Sequence, residues 1–279
     1  MSSGKAAAFA GTLAEFYDRF LVPLIFAPYA EVVADRVKGL RPRRLLETAA
    51  GTGIVTEALA RILPSEVTIT ATDLNQAMID LGKARPRMER VSWQRADATK
   101  LPFPDGAFDV VVCQFGVMFF PDKRASFNEC FRVLSSGGTH LFVVWDDYSN
   151  MPNSPLWIAA ERIGELLGRD PHALLSQGYF DEPTIRADLA TARFRDVKVD
   201  RIVRPARAAS ARDAAVITVQ GSLLRTAIET ADPSRLDEAT EAVEQVMSAR
   251  FGDGPVEGET KALIVTATKP QSTITRPDL

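Results

Sequence analysis

The sequence predicts an α/β fold in which a parallel sheet is covered by helices on both faces. Three observations predict it. Short apolar runs alternate with helical patterns from residue 43 to about residue 145, the spacing that parallel strands with crossover helices require. A glycine-rich turn, "AAGTG", joins the first apolar run to the first core helix. Glu47, Asp73 and Asp97 then fall at three successive strand ends, where such sheets hold their ligands.

In chain order, "RRLLET" reads as a strand and Ile54–Leu63 as a helix with apolar pairs at 54/55, 58/59 and 62/63. "EVTITATD" is an alternating, β-branched strand, and "LNQAMIDLGKAR" a helix with Leu74, Met78 and Leu81 on one stripe. "RVSWQRAD" is the third strand and "FDVVVCQFG" a buried fourth. Pro121 opens a helix through Leu134, which the "SSGG" glycines close as a C-terminal cap. "THLFVVWDD" is the fifth strand. Beyond it, "SPLWIAAERIGELLG" and "EPTIRADLATARF" are helical, and the second leads into the strand "RDVKVDRIV". Residues Pro205 to Glu259 read as mostly helical, with Ser210 and Asp213 as a capping box and Asp232-Pro233 as a helix start. Leu236, Ala239, Val243, Val246 and Met247 make an apolar stripe there, and "KALIVTATK" is the last strand. The expected parts are an N-terminal helical cap (1–40), a ligand-binding core (41–147), helices with a sixth strand (148–204), a helical cap insertion (205–259), a final strand (260–270) and a polar tail (271–279).

The 279 residues suit one large domain, or one domain with an insertion, and 46% apolar with 25% charged residues is ordinary for a globular protein. A formal charge of −3 gives no electrostatic reason to expect nucleic acid. Cys113 and Cys130 are too few for a disulfide scaffold, and with no secretory pattern at the start a reducing cytoplasm is expected. "FLVPLIFAPYA" is apolar but short and broken by Pro23 and Pro28. A membrane span needs roughly 20 apolar residues, so these residues are expected to pack on the domain or close over a ligand.

The turn itself admits several ligands. A dinucleotide fingerprint wants a third small residue where this chain has Thr56, and a phosphate loop wants a lysine that is absent. A tight turn with no ligand is also open. Glu47 separates these readings, because an ionised carboxylate repels a pyrophosphate in a partly desolvated cleft. It welcomes a cationic amine. S-adenosyl-L-methionine carries one, on an amino-acid tail joined through a sulfonium to an adenosine with no phosphate. Asp73 can then accept from the ribose hydroxyls, or cap the next helix. Asp97 can accept from the adenine amino group, or be a solvated turn acid.

The segments "LLETAAGTG", "ATDLNQAM", "RADATKLPFPDGAFDVV", "CQFGVMFFPD" and "RVLSSGG", in that order, resemble class I S-adenosylmethionine-dependent methyltransferases, and the third resembles the ubiquinone/menaquinone-biosynthesis type. The resemblance implies a Rossmann-like, seven-stranded, mostly parallel sheet whose last strand is antiparallel and lies beside "RDVKVDRIV". It also implies that Glu47, Ala49 and Gly51 line the methionine tail. Asp73 would hold the ribose, with Leu74 and Met78 near the adenosine and Asp97 and Ala98 at the adenine. Gln114 and Phe115 would border the methyl group, and Tyr17 would close over the cofactor. Ala49 stands where the family has its first loop glycine. "CQFG" also departs from the Asn/Asp-Pro-Pro-aromatic signature of amino-methyltransferases acting on nucleic-acid bases.

The chemistry expected is in-line methyl transfer to a small, apolar or aromatic acceptor, carried mainly by alignment. No residue stands out as a catalytic base. His140 reads as a packed strand residue, and His172 as a surface or pocket residue. Asp146, Asp147 and Asn150 form a polar cluster, but with Gln114 they make only half of a hard-cation site, so no metal is expected. Tyr17, Phe119, Tyr148, Trp157 and Tyr179 are aromatics in candidate cap positions. A cofactor-binding protein without turnover is the alternative, and a nicotinamide-dependent oxidoreductase is disfavoured by Glu47 and Thr56. The acceptor atom and the oligomeric state are left open.

Overall fold

A computed structural model describes residues 12–175, 178–252 and 254–271. The N-terminal stretch before residue 12, and the polar tail after Gln271, lie outside the described residues. Seven strands form one sheet in the order β3-β2-β1-β4-β5-β7-β6. They are β1 (Arg44–Thr48), β2 (Thr68–Asp73), β3 (Val91–Arg95), β4 (Phe108–Gln114), β5 (Leu134–Trp145), β6 (Arg195–Ala208) and β7 (Val256–Thr268). β1 to β5 pair in parallel, while β7 runs antiparallel to both β5 and β6. The expected seven-stranded sheet with an antiparallel last strand is present, and that strand inserts between its two neighbours.

The central strands are buried on both faces, as parallel strands under two helical layers must be. Leu45, Leu46, Val111, Val112, Phe142, Val143, Ile264 and Val265 have no exposed surface. The helices are α1 (Thr12–Phe16), a π-helical segment (Tyr17–Phe26), α2 (Ala27–Leu40), α3 (Ile54–Ile62), α4 (Gln76–Lys83) and α5 (Lys123–Val133). After β5 come α6 (Pro155–Leu167), α7 (Pro171–Leu175), α8 (Glu182–Thr191), α9 (Ala211–Gln220), α10 (Leu223–Ala231) and α11 (Leu236–Phe251). Capping explains several starts: Asp122 accepts from Ala125 N–H, Ser154 from Trp157 N–H, Asp181 from Thr184 N–H and Ser210 from Asp213 N–H.

Two expectations fail at glycine and proline. The "SSGG" glycines do not cap α5, whose last residue passes straight into β5 with Leu134 extended (φ −72°, ψ 139°). Gly137 (φ 78°) instead bends the start of β5 and donates its N–H to Lys269 O at 2.9 Å. Pro205 does not open a helical region. It lies within β6, opposite Glu259 of β7. β6 is the sheet edge, where a residue without an N–H is tolerated because one side of the strand faces no partner strand. No helix among the described residues is long and apolar enough to cross a membrane.

Candidate active site

A cavity of about 480 Å³ opens over the carboxyl ends of the strands. In the strand order β3-β2-β1-β4-β5, adjacent strands lie about 4.8 Å apart, so the strand ends beneath it span roughly 19 Å. All eleven residues singled out in the sequence line it: Tyr17, Glu47, Ala49, Gly51, Asp73, Leu74, Met78, Asp97, Ala98, Gln114 and Phe115.

At the end of β1 the chain turns sharply. Ala49 (φ 51°), Gly51 (φ 56°) and Gly53 (φ 81°) all take left-handed backbone conformations before α3 begins. Glycine adopts these freely, whereas alanine holds such a φ at a cost of about 1–2 kcal/mol. Ala49 therefore keeps the glycine geometry with strain. Its methyl group lies over Gly116, where an added Cβ would meet Ala49 Cβ at 2.6 Å and Cys113 Sγ at 2.7 Å.

Glu47 is 1% exposed and its Oε2 accepts a 2.6 Å hydrogen bond from the Thr56 hydroxyl. Burial pushes its carboxyl up to about 8, against the lowering effect of Thr56. The sequence alone suggests an ionised Glu47. In the protein alone the proton is largely retained at neutral pH, and a cationic partner is what favours its release. Thr56, read from the sequence only as a misfit for a dinucleotide loop, is the group that orients this acid.

Asp73 anchors the loop. One carboxylate oxygen accepts from Gly51 N–H and the other from Asn75 N–H, both at 2.8 Å. Burial raises its pKa, while the backbone hydrogen bonds from Asn75, Gly51 and Leu74 act to lower it. The N-cap of α4 is Asn75, which accepts from Ala77 N–H at 2.9 Å, so Asp73 is not the cap. A carboxylate offers about four lone-pair sites, more than these three backbone bonds use. Asp97 is exposed and closes a turn by accepting from Thr99 N–H and hydroxyl at 2.8 and 2.7 Å. The loop that follows is pinned from α5, where Glu129 accepts from Leu101 N–H and Arg132 donates to the carbonyls of Leu101 and Phe103.

Polar atoms remain for a ligand. Thr52 Oγ1 and Gln114 Oε1 are buried with no hydrogen-bond partner among the described residues, and both residues line the cavity. Buried polar atoms without a partner are costly, so an occupant with donors and acceptors suits them. Leu74 and Phe119, two of the few large apolar side chains left exposed (44% and 42%), also border the cavity. Sequence reading missed Thr52, whose signal is only its place between two glycines.

The β5 side is different in kind. Phe115 (φ 54°) stacks on Trp145 with ring centroids 3.9 Å apart, and Phe26 and Tyr29 close around that pair. Tyr148, Leu156, Leu175, Ser222 and Leu223 continue the wall. The last four come from the second half of the chain, and no local motif marked them. Trp157 stands behind Tyr148, stacked at 5.6 Å, with His172 against it at 4.8 Å. Tyr179 is elsewhere, donating to Asp188 Oδ2 at 3.1 Å. His140 is a core residue: its Nδ1 lies 3.2 Å from Val111 O, and burial lowers its pKa to about 4, so the ring is neutral. Asp146 and Asp147 face a second, open depression with Arg186 and Arg201, and no cluster among the described residues could hold a metal ion.

Comparison with known proteins gives the same picture. Residues 46–142 match the family described as a methyltransferase domain. The ubiquinone/menaquinone biosynthesis C-methyltransferase UbiE of Yersinia pestis is 29% identical over 171 residues, which cover 56% of this chain and 68% of that protein. Among solved structures, YcgJ of Bacillus subtilis superposes with a TM-score of 0.57 at 17% identity, covering 88% of this chain and 99% of that one. Phosphoethanolamine N-methyltransferase 2 of Haemonchus contortus, solved with phosphomonomethylethanolamine and S-adenosylhomocysteine, gives 0.52 at 17% identity, covering 87% and 53%. At those identities the two structures show the fold alone. Sheet order, glycine loop and family match agree: residues 46–142 match a methyltransferase domain, and the chain resembles the class I S-adenosylmethionine-dependent methyltransferases.

Proposed function

We propose that the protein methylates a small, neutral, apolar or aromatic molecule, and that it does so mainly by alignment. One observation carries the acceptor reading. The β5 side of the cavity, walled by Leu21, Ile25, Phe26, Trp145, Tyr148, Leu156, Leu175 and Leu223, contains no Asp, Glu, Lys, Arg or His among its lining residues. An ionic acceptor would lose its hydration there without a counter-charge. UbiE, by its name, methylates carbon in quinone biosynthesis, and an aromatic acceptor of that general kind suits these walls.

The residues fit S-adenosylmethionine in an order set by the strands. Glu47 and the Ala49–Gly51 turn would hold the amino-acid tail, with the orphaned Gln114 Oε1 as a further acceptor for its ammonium. Asp73 would take a ribose hydroxyl with the acceptor capacity that Gly51, Asn75 and Leu74 leave. Leu74 and Met78 would cover the adenosine, Asp97 and Ala98 would meet the adenine edge, and Tyr17 would close from above. When bound, the cofactor supplies an electrophilic methyl group on sulfur, positioned over the end of β4. Phe115 and Trp145 would exclude water from that point and orient a flat acceptor against it. Alignment of this kind contributes several kcal/mol, up to about 7–11 in ideal intramolecular cases. The β5-side walls offer no carboxylate, amine or imidazole as a general base, so the acceptor is one whose nucleophilic atom can attack in its neutral form. Both cysteines are buried free thiols, which supports a reducing cytoplasm as the place of action.

Calorimetric titration with S-adenosylmethionine and separately with NAD tests the cofactor assignment. One site for the first and none for the second is the expected result, and NAD binding alone would overturn it. Incubating cell extract with methyl-labelled cofactor, with and without the protein, then identifies the acceptor by mass spectrometry. A labelled product that is charged or macromolecular would refute the acceptor reading.

A further inference from the structure

A partly buried arginine outside the cavity lining holds three parts of this site together. Arg85 follows α4, and its side chain is only 16% exposed. Its Nε donates to the carbonyl of Thr52 in the glycine loop, its Nη1 to Glu57 Oε2 on α3 at 2.8 Å, and its Nη2 to Asp18 Oδ1 on the π-helical segment. Each nitrogen thus serves a different element.

The third contact matters because of what the segment carries. Tyr17, Leu21, Ile25 and Phe26 come from it and form one wall of the cavity. Tyr17 sits close enough to Asp73 and Asp18 for both charges to add to burial in raising its phenol pKa. Glu47, which shares the cavity with this wall, is 1% exposed, so the wall and the glycine loop leave it almost no contact with water. The π-helical segment is the movable candidate. Ten residues of π geometry separate two α-helices, longer than the single-turn π interruptions that are frequent at functional sites. The exposures differ usefully too. Asp18, at 27%, rehydrates readily on parting, while Arg85 keeps Glu57 and the Thr52 carbonyl and is not left as an unpaired buried charge.

We propose that Arg85 is a positioning residue that latches the N-terminal segment onto the glycine loop, with the Asp18 bond as the part that opens when cofactor enters or leaves. The proposal rests on the methyltransferase reading above. It assigns Arg85 no contact with the reacting atoms. Its effect reaches the cofactor through Tyr17 on one side and through the Thr52 carbonyl on the other.

The test is the dissociation rate of labelled S-adenosylmethionine from the full-length protein, chased with excess unlabelled S-adenosylhomocysteine. Asp18→Asn keeps the shape and removes the charge, and is expected to speed dissociation about tenfold, the factor for one charge-assisted contact of ~1.4 kcal/mol. Asp18→Glu, which retains a carboxylate, should restore the slow rate to within about threefold. Arg85→Met should dissociate at least as fast as Asp18→Asn, and adding Asp18→Asn to it should change little further, as for two members of one contact. The melting temperature without cofactor should shift by no more than a few degrees in Asp18→Asn. An unchanged dissociation rate in that variant, with wild type binding the cofactor, overturns the latch alone. Failure of wild type to bind S-adenosylmethionine overturns the methyltransferase assignment as well.

Discussion

Glu47 has to be comfortable in two charge states. Its carboxyl is raised from 4.5 to about 8 by burial, so in the protein alone the protonated form is favoured until mildly alkaline pH. A bound ammonium favours the carboxylate, so its pKa falls on binding and a proton is released. The sign follows. Affinity for a cationic tail is weakest at low pH, rises by up to about tenfold per pH unit below pH 8, and levels off above it. Calorimetry in buffers of different ionisation enthalpy should show this proton release at pH 7, and its absence would mean that Glu47 does not meet a cation. Stability runs the other way. A folded-state pKa above the unfolded value means that Glu47's own contribution to stability is fully present below about pH 4.5 and is lost as pH rises to about 8. Glu47→Gln should therefore melt a few degrees higher than wild type at pH 8 while binding S-adenosylmethionine more weakly. A binding residue maintained at a cost to stability would show both changes together.

The elements that shape the glycine loop are buttressed from beneath by Trp93 of β3. An added Cβ at Gly82 of α4 would come within 2.4 Å of the Trp93 ring, and one at Gly53 within 3.0 Å of it. The indole thus fills the space between two glycines, one of which begins α3. Gly82→Ala should push the indole toward Gly53 and raise the cofactor dissociation constant at least threefold, a cost of about 0.7 kcal/mol. Gly82→Ala combined with Trp93→Phe should recover most of that affinity, because the smaller ring yields the space. No recovery would mean that the substitution acts through α4 alone. At this scale the sequence was legible where periodicity was clean. The strands around Leu45–Leu46, Ile69–Ala71 and Val110–Cys113 carry uninterrupted apolar or β-branched runs, and their end residues line the cavity. It was illegible where a residue's usual meaning was overridden by its place. Gly137 and Pro205 are turn and breaker signals in any window, yet one bends a strand start and the other sits on a sheet edge. Arg85 and Thr56 gave no signal because their roles exist only after α3, α4 and the N-terminal segment have packed together.

Across the whole molecule the cavity has two origins. The side proposed for the cofactor comes largely from Glu47–Ala98, inside the stretch that matches the methyltransferase family. Its other side is built by the N-terminal segment and by α6, α7 and the start of α10, outside that stretch. The sheet joins them, because β7 lies between β5 and β6 and ties the end of the chain to its middle. This division predicts separable phenotypes. Leu223 lines the cavity at the first position of α10, with Ser222 capping the helix behind it through a 3.1 Å bond to Leu224 N–H. Leu223→Trp adds bulk on the acceptor side without touching the glycine loop, Asp73 or Asp97. It should lower kcat/KM for the acceptor at least tenfold, about 1.4 kcal/mol of transition-state binding. The dissociation constant for S-adenosylmethionine should stay within about twofold. Met78→Ala, beneath the adenosine position, should do the reverse, weakening cofactor binding while acceptor selectivity at saturating cofactor is unchanged. Equal loss of cofactor affinity in both variants would show that the two sides are not independent, and the acceptor would then have to be sought across the whole cavity.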